Sequence, residues 1–127
     1  MRRTLLLLLL LLSALVLAGC RHGDSYYQTQ VANPCDGTPP SQGFACIDAS
    51  LIPTPDPVHS KADKWVHCFL KSGHELEIGS IVFDRVGHAG DHAWGHVKRD
   101  AAPGRYKYTI YDRTSGTKND PEVMIDP

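Results

Sequence analysis

Four histidines carry the most legible chemistry in this chain. His88, His92 and His96 recur at every fourth position with Asp91 among them, and His74 stands a short way upstream. Neutral imidazole is the commonest protein ligand for zinc and copper, so the pattern raises metal binding as one reading. Spacing works against it. In an extended strand successive members of the trio sit about 13 Å apart, too far to share one ion. Gly87, Gly90 and Gly95 oppose the helix that would draw them together. The histidines are therefore expected in loops on a polar surface, with no bound metal and no cofactor. His74, His88, His92 and His96 stay the candidates should a looped arrangement gather them.

Catalytic patterns are absent from the sequence. It holds no Gly-x-Ser-x-Gly, no His-Glu-x-x-His and no phosphate-binding glycine loop. Asp84, Asp91, Asp100, Asp112, Asp120 and Asp126 mostly flank turns, where a carboxylate bonds to neighbouring backbone amides. A non-enzyme is expected. The chain has 13 basic and 14 acidic residues without a basic run, so nucleic acid is a poor partner.

The N-terminus bears on the cysteines. Arg2 and Arg3 precede an unbroken leucine run, Leu5 to Leu12, which Ala14 to Leu17 continue after Ser13. This apolar block is about 13 residues long, where a spanning helix needs about 20. A basic start, a short apolar core and small residues at its end read as an export signal. The segment closes on Leu17-Ala18-Gly19-Cys20, which resembles the lipobox of bacterial lipoproteins. The resemblance implies that residues 1–19 are a signal peptide and that Cys20 is lipidated and becomes the new N-terminus. A membrane is then the expected partner, since two or three acyl chains at ~0.8 kcal/mol per buried methylene anchor stably. Arg21, in place of the aspartate that marks inner-membrane retention, implies an outer-membrane location facing the periplasm.

The remaining chain is long enough for one domain. Residues 20–45 are polar and turn-rich and read as a flexible, disordered tether. Beyond them, short apolar runs separated by Gly, Pro and Asp give candidate strands at 47–52, 65–70, 81–83, 94–98, 105–111 and 122–125. Tyr106, Tyr108 and Ile110 alternate with Lys107 and Thr109, as in a half-buried strand. Residues 61–70 are ambiguous locally. Ser60 to Asp63 resemble a helix cap, Trp65, Val66, Phe69 and Leu70 share a helical face, and Gly73 suits a helix end. The surrounding strands tip the expectation to strand.

Three stretches resemble cupredoxin-like domains of bacterial exported proteins. They are Pro57–His67, Gly104–Ile110 and Asp120–Ile125. The resemblance implies an all-β, antiparallel Greek-key sandwich over residues 46–127, with strand, turn and strand in the first stretch. It does not extend to a blue-copper site. His74 stands where the first histidine ligand would fall, but Ile110 occupies the cysteine position, Arg113 the second histidine position, and Met124 lies past the ligand loop. Without soft sulfur beside two imidazoles, that centre is not formed.

Export places Cys35, Cys46 and Cys68 in an oxidising compartment, which allows one intramolecular bridge and one leftover thiol. Cys35–Cys46 is the expected pair, because it brackets a Pro/Gly-rich loop that closes easily. In the resembled fold the strands bearing Cys46 and Cys68 run parallel, which sets those sulfurs at different heights. Cys68 is then a buried free thiol. The function expected is a non-catalytic binding or envelope-accessory module tethered to a membrane, with an envelope protein as partner and a small-molecule ligand unspecified. The alternatives are a copper- or zinc-binding protein using loop histidines, and an inhibitor or immunity lipoprotein against a periplasmic hydrolase.

Overall fold

The computed structural model describes residues 27–36, 41–70 and 73–127; the expected signal peptide, 1–19, and the expected lipidation site, Cys20, lie outside them. Tyr27 to Val31 belong to an N-terminal unit and make a single helical turn, closed by Gln30 N–H to Tyr27 O and Val31 N–H to Gln28 O bonds. Ala32 to Pro127 form a second, compact unit. Part of the expected tether, 20–26 and 37–40, falls outside the described residues.

The second unit is built from strands. They are β1 (Phe44–Ile47), β2 (Pro53–Thr54), β3 (Val58–Lys61), β4 (Trp65–Leu70), β5 (Leu76–Gly79), β6 (Phe83–Ala89), β7 (His92–Val97), β8 (Gly104–Lys107), β9 (Thr109–Asp112), β10 (Thr117–Asn119) and β11 (Glu122–Asp126). They form three sheets, ordered β2-β1-β4-β7-β6, β10-β9-β5 and β3-β11-β8. The expected antiparallel pairing needs correction at β3 and β11, whereas the strands bearing Cys46 and Cys68 are parallel as expected. β1 runs parallel to β4 and β3 runs parallel to β11, while the other pairs are antiparallel. A purely antiparallel arrangement suits neighbours joined by short turns; β1 and β4 are separated by a whole excursion through β2 and β3.

The ambiguous segment 61–70 holds the end of β3, a turn at 62–64 and β4, which is the central strand of the large sheet, flanked by β1 and β7. Tertiary pairing outweighs the local capping pattern. The expected strand 47–52 is broken instead. Asp48 Oδ1 accepts the N–H groups of Ser50 and Ile52 at 2.9 Å, Leu51 N–H bonds to Asp48 O, and Leu51 sits at φ 59°. The strand comes earlier, at Phe44–Ile47. Likewise 105–111 is split. Tyr106 pairs with Val123 in one sheet, whereas Ile110 pairs with Ile78 in another, so the chain changes sheet at Tyr108.

The core draws on all three sheets: Ala45, Ile47, Val66, Cys68, Leu70, Ala93 and Val97 from the large one meet Leu76, Ile78, Ile110, Val58, Val123 and Ile125 from the others. Tyr108 lies fully inside it. Its hydroxyl has no conventional hydrogen-bond partner among the described residues, and the Cys68 thiol is the group that interacts with it. Burial raises the pKa of both groups, the Cys68 thiol to about 12.

Candidate functional site

Side chains alternate across a strand, so the residues between the core positions of β1, β4 and β7 share the opposite face of the large sheet. That face carries Phe44, then Trp65, His67 and Phe69, then His92, Trp94 and His96. Most of these are buried, so the two central strands are covered on both faces. The face is held in place by backbone geometry at its edge. Gly43, at φ 84°, donates its N–H to His59 O and accepts from His67 N–H, and a Cβ there would meet Trp65 O at 2.7 Å. Only glycine fits that approach, and it sets Phe44 opposite His67.

Rings are in contact along the whole face. Phe44 stacks on His67 at 5.2 Å between ring centres, and Phe69 stacks on His92 at 4.2 Å. Trp94 tilts against His92 at 4.9 Å, and Trp65 against His96 at the same distance. The Arg85 guanidinium lies 5.1 Å over the Trp65 ring. Gly87 on β6 makes room for the indole of Trp94, since a Cβ there would come within 2.5 Å of Trp94 Nε1.

At the centre, His67 Nδ1 and His92 Nε2 are 3.0 Å apart. The ring centres are 5.2 Å apart, so the two nitrogens lie close to the line joining them and face each other head-on. Both rings are nine-tenths or more buried. Burial lowers the pKa of each to about 4, with repulsion from His92 contributing to the shift of His67. At neutral pH both are uncharged, one donating the N–H that the other accepts. Next to this pair, a cleft of about 450 Å³ is lined by Phe44, Trp65 and His67 on its aromatic side and by Lys61, Lys64, Ser60, Gln42 and Gly43 around it.

The four candidate histidines do not converge. Among the described residues no group of three or more His, Cys, Asp or Glu is placed to hold a metal ion. His74 Nδ1 bonds to Asp112 Oδ2 at 2.6 Å, at the start of β5. His88 Nε2 pairs with Glu77 Oε1 at 3.0 Å. His96 lies between two carboxylates, with Nδ1 2.7 Å from Asp84 and Nε2 3.2 Å from Asp63. The His96 hydrogen bond is the main cause of a lowered Asp84 pKa. The loop expectation is corrected for His88, His92 and His96, which are strand residues on β6 and β7, and His92 and His96 are buried. Asp112 is a turn carboxylate, as its position suggests. Burial pushes its pKa up, but bonds from Ser115, His74 and the Ser115 and Thr114 amides outweigh that and hold it at about 2.

His67 did not stand out in the sequence. The signal was present: Trp65, His67 and Phe69, and His92, Trp94 and His96, are two runs of ring-bearing residues at period two. Counting intervals of four along one segment hid the partner on another strand. The disulfide Cys35–Cys46 is formed, and Cys68 is a buried free thiol. Cys46 pairs beside Phe69 on the ring-bearing face, whereas Cys68 points into the core. No protein-family model matches this chain, and no curated protein or solved structure matches it.

Proposed function

We propose that this protein is a membrane-tethered lipoprotein of the periplasm that acts as a non-catalytic binding module. Its binding site is the cleft beside the ring-bearing face of the large sheet. The observation that carries this reading is the cleft itself: about 450 Å³, lined by Phe44, Trp65 and His67 together with Lys61 and Lys64. That volume is in the range of small-ligand sites. Rings supply flat apolar contact at low entropic cost, and exposed lysines attract negative charge. The ligand class is a small molecule with a flat face and an anionic group. Arg85 over Trp65 and His96 against its edge hold the indole in place before any ligand arrives.

The test is a titration of the full-length protein in detergent with aryl sulfates, aryl phosphates and acidic oligosaccharides, followed by tryptophan fluorescence. Saturable binding that Trp65→Ala and Lys64→Glu each weaken at least about tenfold (about 1.4 kcal/mol) is expected. Binding that ignores both substitutions, or none at all, places the function elsewhere on the molecule.

A further inference from the structure

We infer that the His67–His92 pair is a two-coordinate site for a soft monovalent metal ion, of which copper(I) is the biological example. It shares His67 with the cleft but uses different chemistry. Two ring nitrogens from different strands face each other head-on at 3.0 Å, which is the arrangement a linear nitrogen–metal–nitrogen unit needs. Such a unit spans twice a metal–imidazole bond of about 2 Å, so the rings must part by about 1 Å. Loading therefore requires the two side chains to rotate apart by that distance.

The surroundings select the ion. Phe44, Phe69 and Trp94 pack against the two rings, and among the described residues no group of three or more His, Cys, Asp or Glu stands there. Zinc takes four ligands in structural sites and three plus water in catalytic ones. A closed-shell monovalent ion is satisfied by two. His67 lines the cleft, which gives an ion a route to the pair.

Protons and electrons balance simply. The ion enters as copper(I) and leaves as copper(I), so no oxidant or reductant is needed. Both imidazoles are already neutral at pH 7, because burial holds them there. The ring that carries hydrogen on the inward nitrogen shifts it to its outer nitrogen, and both lone pairs then point at the metal. No proton is released to solvent.

The experiment titrates the purified full-length protein in detergent with silver nitrate, and anaerobically with a copper(I)–acetonitrile complex. Tryptophan emission reports binding through Trp94, whose ring is 4.9 Å from His92. One equivalent of either ion is expected to quench emission saturably, with zinc giving no comparable effect. His67→Phe and His92→Phe retain ring stacking and should each weaken binding by at least about 100-fold, more than loss of an outer partner costs. Cys68→Ala and His88→Ala should leave binding unchanged, which separates this site from the buried thiol and from the histidine paired with Glu77 on β6. Equal binding of zinc, loss of binding in Cys68→Ala, or unchanged binding in the His variants overturns the inference. Should a phenylalanine variant not fold, X-ray absorption of the copper(I)-loaded wild type decides: two nitrogen neighbours support the site, while sulfur or a larger shell overturns it.

Discussion

The ring of Phe83 on β6 lies so close to Gly95 on β7 that a Cβ on the glycine would meet it at 2.6 Å. Glycine in the interior of a central strand ordinarily weakens a sheet. Here it admits an aromatic ring to the core, and the ring covers the backbone the glycine exposes. Gly95→Ala is expected to destabilise the protein by about 1–3 kcal/mol through overpacking. Gly79, whose Cβ position is open, serves as the control; Gly79→Ala should change stability by no more than about 0.5 kcal/mol. Urea unfolding of both variants measures the difference.

Acid should loosen the ring-bearing face before it affects the rest. His67 and His92 have folded pKa values of about 4 against 6.5 when unfolded, so the unfolded chain binds more protons between those limits. Their contribution is fully present above pH 6.5 and is lost as pH falls toward 4, with unfolding taking up as many as two protons. Asp112, held at about 2 against 3.8, adds a separate loss at lower pH. Melting temperature against pH should fall steadily from 6.5 to 4 in the wild type. In His67→Phe/His92→Phe that limb should flatten; an identical slope contradicts the assignment.

The thiols should react in a fixed order. Cys35 and Cys46 are joined, and Cys68 is buried with a pKa raised to about 12. Without reductant or denaturant, iodoacetamide at pH 8 should modify none of the three, and in denaturant Cys68 alone. Non-reducing peptide mapping should recover the Cys35–Cys46 link. Closing this short loop contributes about 3 kcal/mol in the chain-entropy model, which the Cys35→Ser/Cys46→Ser variant should lose.

Tyr108→Phe removes a buried hydroxyl that lacks a conventional partner. Leaving such a group unpaired costs about 1–3 kcal/mol, so its removal should be neutral or stabilising by about 1 kcal/mol. A clear drop in melting temperature would show that the contact with Cys68 contributes more than its soft sulfur suggests.

Anchoring is tested at Cys20. Cys20→Ser should abolish lipidation and signal cleavage, leaving a precursor that no longer acquires acyl chains in metabolic labelling. A Ser variant that labels and migrates like the wild type rules out the lipobox reading.

The sequence by itself established a β-rich domain, the span of β4 as a strand against its own capping pattern, and a disulfide that leaves Cys68 free. The first and third rest on short-range information, period-two alternation with turn residues and the ease of closing a short loop, while β4 was assigned from the company of the other strands. Only the tertiary structure decided the parallel pairing of β3 with β11, the sheet change at Tyr108 and the meeting of His67 with His92. The two histidines are 25 positions apart and become neighbours because the register sets Phe69 opposite His92 and His67 opposite Trp94. Register follows from which faces are buried. Both faces of β4 and β7 are, so the pattern of polar and apolar residues that would reveal it is absent from those strands.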